Sequence, residues 1–396
     1  MALTTRPLTV DDIDETLRLG REAFGTPPPG TPAPSRDDWP GAGRHNFGTF
    51  DGDQLVGRIM GRDYHSWYGG REVPTSGIAG VTIVGERRGE GLLDDLFHAV
   101  LEHGRAAGQV VSTLFPTAPG IYRRYGYELI SSYDTVEVPM AALAQVRPVE
   151  GVTLRRAEAA DFDAVRQVYD VWAAAQNGPL TRRGVSFPAT GEDLISAFTG
   201  VTLALDESGD AVGYALWDRG AGYGASAAIE VGDLLATDPR GYAALWRFLG
   251  GFATVTGQIR LETSGADPAR LFLPSAAWKV VGQHPYTLRV DDVVGAFEAL
   301  SLTSPAEVSV PFSVAGDLLG LDGDYRLTVG SGSSCERVSG GPAGPVFSPR
   351  GLALAWSGAQ NTANLRLTGH LTGPTSYDST LDLLLAGRPL HIRDYF

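Results

Sequence analysis

Between Val81 and Leu93 an apolar, β-rich run turns into a helix through a passage that few folds accommodate: Val84-Gly85-Glu86-Arg87-Arg88-Gly89-Glu90-Gly91-Leu92. The β-branched residues Val81, Thr82 and Ile83 favour an extended strand. Leu92, Leu93, Leu96, Val100 and Leu101 then recur at helical spacing. The first-turn amides of a helix have no internal partners and carry partial positive charge. Glycines at that place let a pyrophosphate come close to them. The edge of the preceding strand, at Val81 and Ile83, can pair with an extended ligand that carries amides. An ordinary strand-to-helix turn reads the same way, so the passage needs a second signal beside it.

That signal follows the mostly apolar strand expected at residues 110–115. The chain there reads Pro116-Thr117-Ala118-Pro119-Gly120-Ile121-Tyr122-Arg123-Arg124-Tyr125-Gly126-Tyr127. A phenol can serve as a general acid toward a leaving group. Tyr122, Tyr125 and Tyr127 each offer one, and by residue type alone all three also read as core aromatics.

The pattern of elements recurs along the chain. Arg6-Pro7-Leu8-Thr9-Val10-Asp11 is echoed by Arg156-Ala157-Glu158-Ala159-Ala160-Asp161 about 150 residues later, each before an apolar-periodic helix. A proline-rich break at residues 25–34 follows the first helix. Asp51-Gly52 and Gly209-Asp210 mark hairpins. Two similar α/β halves in tandem are expected, 1–150 and 151–297. The second half keeps the order of elements but has Thr237-Asp238-Pro239-Arg240-Gly241-Tyr242 where the first has its glycines. Asp238 would repel a pyrophosphate there. A third, α+β unit is expected at 298–396, with short strands at 308–314, 325–329, 352–356 and 364–369 and a terminal helix at 379–386. The tail, Pro389-Leu390-His391-Ile392-Arg393-Asp394-Tyr395-Phe396, is apolar enough to dock rather than trail in water.

Composition narrows the partners. The formal net charge is −14, so phosphate backbones would be repelled over most of the surface. Cationic molecules would be attracted to it. Lys279 is the only lysine. Cys335 stands alone and reads as a passive thiol, and the seven histidines show no metal-ligand spacing. His391 reads as a surface residue beside the tail. No stretch approaches the roughly 18 apolar residues of a membrane span. A cytoplasmic protein with no nucleic-acid, membrane or metal partner is expected.

The two signals together resemble the GNAT N-acetyltransferases. Arg88-Gly89-Glu90-Gly91-Leu92-Leu93 resembles their acyl-coenzyme A motif, and Gly120-Ile121-Tyr122 with Tyr125-Gly126-Tyr127 resembles their aromatic motif. The whole chain resembles the Eis-type (enhanced intracellular survival) acetyltransferases. Leu93, Asp233-Leu234, Trp246-Arg247-Phe248, Leu288-Arg289-Val290-Asp291-Asp292 and the final phenylalanine all fit that family.

The resemblance implies tandem GNAT folds, the central one degenerate, followed by a sterol-carrier-protein-like α+β domain. A homohexamer is implied as well. It implies an acetyl-CoA site made by Val81, Thr82, Ile83, Arg88, Gly89, Glu90, Gly91, Leu92, Leu93, Asp94, Thr117 and Ala118. Tyr122 would be the general acid and the terminal carboxylate of Phe396 the general base. The expected acceptors are cationic amines, either aminoglycoside-like compounds or lysine side chains. Phe24 and Trp39, the latter beside Asp37 and Asp38, are the candidates to recognise them. The alternative is a non-catalytic scaffold or sensor that binds CoA or lipid.

Overall fold

The computed structural model describes residues 3–27, 34–187, 189–340 and 343–396. The first half runs β1 (Leu3–Pro7), α1 (Ile13–Phe24), β2 (Arg44–Asp51), β3 (Gln54–Tyr68) and β4 (Arg71–Ile83). It continues through α2 (Leu93–Ala106), β5 (Val111–Leu114), α3 (Pro119–Arg123) and β6 (Glu128–Pro139). The second half repeats this order with β7 (Thr153–Arg156), α4 (Phe162–Ala174), α5 (Gly191–Ala197), β8 (Gly200–Leu205) and β9 (Ala211–Arg219). Then come β10 (Gly224–Ala236), α6 (Pro239–Gly250), β11 (Thr256–Thr263), α7 (Ala269–Phe272) and β12 (Lys279–Val290). Most of the proline-rich break expected at residues 25–34 lies outside the described residues. No helix among the described residues is long and apolar enough to cross a membrane.

The repeat is visible in detail. Arg6 holds Asp12 with two 2.8 Å hydrogen bonds, and Arg155 holds Asp161 with two of 2.7 Å. Each aspartate also accepts a backbone N–H three residues upstream, closing the turn that starts the first helix of its half. The equivalent of Arg6 is therefore Arg155, one residue earlier than the register read from the sequence.

All twelve strands form one sheet, in the order β1-β2-β3-β4-β5-β12-β6-β11-β10-β9-β8-β7. The two halves exchange their last strands. β12 lies between β5 and β6, antiparallel to both, and β6 pairs with β11. Within the first half, β4 and β5 run parallel for only three residue pairs, ending at Gly77 opposite Thr113. Beyond that pair β4 continues to Ile83 beside β3, while β5 turns toward β12. A fork opens between them, with one edge of β4 unpaired. β4 bulges in this stretch, where Gly80 takes φ +61°.

The remaining chain holds α8 (Val293–Leu300), β13 (Val308–Val314), β14 (Gly323–Val329), β15 (Ser333–Val338) and β16 (Val346–Phe347). It ends with α9 (Pro349–Trp356), α10 (Thr362–Leu367), β17 (Leu371–Thr372) and α11 (Asp378–Leu385). Its five strands form a separate sheet, β15-β14-β13-β16-β17. Two of the strands expected here are helices. In α9 every residue but Arg350 is buried, so its apolar run carries no helical periodicity. Ser348 caps it by accepting from Gly351 N at 3.0 Å, and Pro349 occupies its first turn. Asn361 caps α10 in the same way. Cys335 is buried in this unit, and burial pushes its thiol up to about 12, as suits a passive side chain.

Arg289 on β12 joins the small sheet to the first half. It is fully buried and binds Asp317 at 2.7 and 3.1 Å, Asp291 at 3.0 Å and the carbonyl of Tyr125 at 2.6 Å. Removing one partner of such a cluster strands the others without compensation. Arg289→Met should lower the unfolding free energy by about 3–5 kcal/mol in urea titrations. An unchanged midpoint would mean that Asp291 and Asp317 find other partners.

Candidate active site

The glycine-rich turn forms one wall of a cleft of about 620 Å³. Val81, Thr82, Ile83, Arg88, Gly89, Gly91, Leu92, Leu93, Thr117 and Tyr122 line it, and Phe24 reaches it from the end of α1. Gly89 and Gly91 take φ +87° and +80°. A Cβ on either would meet nothing within 4 Å and would project into open space. The N-cap of α2 is Leu92, which offers no side-chain hydrogen bond to the first-turn amides. Asp94 N among them donates to the Gly91 carbonyl at 3.0 Å, and the rest suit an anion.

Three of the expected cofactor residues are not among the lining groups. Glu90 accepts from Arg87 Nε at 2.6 Å. Asp94 accepts from the Tyr125 hydroxyl at 2.5 Å and from Arg124 at 2.7 Å, tying α2 to the turn after α3. Ala118 is the N-cap of α3. Trp39 also lies outside the cleft lining. Gly120, Ile121, Arg124 and Tyr125 do line it. Their place in the second motif was the available signal, since a loop that positions Tyr122 must bring its neighbours along.

The second half shows what disables such a turn. Asp238 caps α6 and accepts from Arg240 N at 2.7 Å and Gly241 N at 3.2 Å. Pro239 removes a further N–H from the first turn. On α6 the chain's own carboxylate takes two first-turn donors, which no side-chain cap does on α2.

Tyr122 sits in α3 and is 8% exposed. Phe97 and Tyr127 pack edge-on around it at 6.1 and 6.4 Å. Burial raises its pKa, so the phenol stays protonated at neutral pH. Tyr127 is fully buried and shares a 2.7 Å hydrogen bond with Ser112.

The C-terminal tail ends at the fork. The Phe396 ring contacts Tyr64 at 5.0 Å and Phe115 at 5.4 Å between centroids. A Cβ on Gly77, the last residue of β4 paired with β5, would stand 2.9 Å from that ring. Charge holds the tail in place. Arg393 is buried and binds Asp233 at 2.6 Å, the Glu262 carbonyl at 2.7 Å and the Gly232 carbonyl at 2.8 Å. Arg182 binds Asp233 at 2.5 Å and Asp394 at 2.8 Å. Burial alone would raise the pKa of Asp233, yet Arg182 and Arg393 outweigh it and hold the carboxyl well below the usual range. His391 is not at the surface as expected. It is 2% exposed, 3.8 Å from Asp267, and burial lowers its pKa.

Two substitutions separate these parts. Gly91→Val would force a β-branched residue to positive φ and fill the open space, and should weaken acetyl-CoA binding by about tenfold or more. Calorimetry with an unchanged dissociation constant would remove the turn from the site. Asp233→Asn leaves the buried Arg393 guanidinium without its counter-charge, while Arg182 keeps Asp394, and should cost about 3–5 kcal/mol of stability. Hydrogen exchange in residues 390–396 should rise while acetyl-CoA affinity holds. Native protection of that tail would show that the ring contacts suffice to dock it.

Comparison with known proteins matches residues 4–130 to an acetyltransferase (GNAT) domain and residues 186–294 to a second, different GNAT domain model. An uncharacterised N-acetyltransferase of Streptomyces avermitilis is 28% identical over 346 residues, which is 82% of each chain. One of Streptomyces coelicolor is 28% identical over 76% of each chain. Among solved structures, a GCN5-related N-acetyltransferase from Kribbella flavida superposes with a TM-score of 0.83 at 26% identity, covering 100% of this chain and 98% of that one. Eis1 from Mycobacterium abscessus shares the fold with a TM-score of 0.79 at 21% identity, covering 99% of this chain and 100% of that one. With a GNAT match in each half and N-acetyltransferase relatives along most of its length, this chain is a tandem-GNAT acetyltransferase with the fold of the Eis-like proteins.

Proposed function

We propose that the chain moves an acetyl group from acetyl-CoA to a primary amine, with Tyr122 as general acid and the terminal carboxylate of Phe396 as general base. The observation that carries this reading is convergence on the β4–β5 fork: a cleft that holds Tyr122 opens along the free edge of β4, and Phe396 packs at the last residue of that strand paired with β5.

The residues present fit an acyl-CoA. First-turn amides of α2 that no side chain caps, two glycines that leave space above them, and Arg88 suit a pyrophosphate. The unpaired edge at Val81–Ile83 suits an extended arm with amides. Bound there, acetyl-CoA supplies an acetyl group on a thioester. The new bond joins the acceptor nitrogen to the acetyl carbon, and the bond to sulfur breaks. Tyr122 gives its phenolic proton to the departing thiolate, and the Phe396 carboxylate takes a proton from the amine, directly or through water.

We extend the proposal to the division of the chain, with a catalytic unit at 1–150, a GNAT-like unit at 151–297 and a sterol-carrier-protein-like unit at 298–396. The resemblance to the Eis type also supports a closed homohexamer. Solution scattering from a monomer at micromolar concentration would count against it. The expectation of a cationic acceptor, either an aminoglycoside-like compound or a lysine side chain, rests on net charge and on the resemblance to the Eis type.

Tyr122→Phe should reduce kcat by about 10²–10⁴-fold with acetyl-CoA affinity retained. Because burial raises the pKa of Tyr122, its acid form persists above the ordinary phenol value. Turnover should therefore rise with pH as the amine deprotonates, without an acid-limb decline below about pH 10. A decline at lower pH would assign the acid to another group. An enzyme amidated at Phe396 keeps the tail's shape and loses its charge. Its turnover should collapse, and turnover at the native rate would assign the base elsewhere.

A further inference from the structure

The two faces of β3 differ in what they meet. Gly57 and Gly61 face α2, where added Cβ atoms would touch Leu96 and Val100. Strand alternation puts Arg58, Met60, Arg62 and Tyr64 on the opposite face. That face leads directly to the fork. The Arg58 guanidinium lies against Gly20 of α1, 2.9 Å from where a Cβ would stand, and within 3.8 Å of the same position on Gly80 in the β4 bulge. Arg62 Nη1 donates to the Tyr64 hydroxyl at 3.1 Å, and Tyr64 packs on Phe396.

Neither arginine has a counter-charge among the described residues, and both Nε atoms are buried without a hydrogen-bond partner. The undescribed residues include no aspartate or glutamate. Arg6, Arg18, Arg36 and Arg87, by contrast, each hold a carboxylate. Burial lowers the pKa of Arg58, as it does for a cation removed from water without compensation. A chain with a net charge of −14 has many carboxylates to spare, yet it brings none here. Nor do Arg58 and Arg62 line the cleft assigned to acetyl-CoA, where Arg88 and Arg124 stand.

We propose that Arg58 and Arg62 seat an anionic group of the acceptor, so that the substrate is an amine bearing its own carboxylate or phosphate. A guanidinium fork matches either oxyanion. Gripped there, the acceptor extends past Tyr64 toward Phe396, which rests on the reading of Phe396 as the base. The acetyl transfer itself is unchanged. The inference replaces the polycationic acceptor expected from composition.

The test uses one series with a common amine: hexylamine, 1,6-diaminohexane, 6-aminohexanoate and 6-aminohexyl phosphate. Thiol release from acetyl-CoA is followed with the native enzyme and with Arg58→Met, Arg62→Met, the double variant and Arg58→Lys. One or both anionic amines should exceed hexylamine and the diamine by about tenfold or more in kcat/KM, mainly through KM. The two anions, compared with each other, separate a carboxylate from a phosphate preference. In the double variant the preference should fall to within about threefold, and Arg58→Lys should retain part of it. Preference for the diamine, or a preference that survives the double substitution, overturns the proposal. So does a loss of acetyl-CoA affinity in the variants, which would place the arginines on the donor side. Calorimetry of hexanoate and hexyl phosphate with the acetyl-CoA-bound enzyme reads the site without turnover. Binding that disappears in the double variant supports the anion site even if no amine is acetylated, an outcome that would instead sink the proposed transfer chemistry. Absence of binding of either anion to the native enzyme overturns the inference.

Discussion

A single buried carboxylate organises the end of this molecule. Asp233 is 1% exposed, on the second strand from the exchanged β6, and two guanidiniums close on it from different parts of the chain. Arg182 comes from the segment after α4, Arg393 from the tail. Asp394 completes the cluster through Arg182, so two positive and two negative groups share one site. Such a cluster contributes little net stability over an apolar core of equal volume, because desolvation consumes most of the attraction. What it supplies is position. Apolar contact alone would let the tail slide, whereas paired charges with fixed hydrogen bonds admit one register. The aromatic contacts of Phe396 are made from that register.

The degenerate half therefore has a definite role. Its own ligand turn is closed by Asp238, but its sheet presents Asp233, and its strand β12 forms the far wall of the fork by pairing with β5. The small sheet is fixed in turn through Arg289, which grips the carbonyl of Tyr125 three residues from Tyr122. Each part of the chain holds some part of the cleft in place, while the glycine-rich turn that lines it belongs to the first half.

Local chemistry was the legible part of the sequence. The strand, glycine turn and helix at 81–93 follow from residue types next to one another, and so do the two hairpins. Polar residues that interrupt the apolar face make helices α2 and α4 legible in the sequence. Helix α9 is not legible in this way, because its residues are apolar on all sides. The Ser348-Pro349 cap was the overlooked cue there, as Asn361 was for α10. The exchange of β6 and β12 leaves no local mark, because each strand looks the same whichever partner it takes. His391 is buried beside Asp267, which lies more than a hundred residues away in the chain. Net charge was the least informative guide. It averages over the whole surface and does not say which charges stand beside the fork.

The strand exchange also sets a condition on how the protein is made. A ribosome releases β5 well before β12, and at ~5–20 residues per second the interval is roughly ten seconds or more. During that time the strand beside the fork has one edge without a partner, and β6 waits likewise for β11. Unpaired edges recruit other chains. Until β12 is synthesised the fork lacks its far wall, and the nascent chain carries strand edges open to foreign pairing.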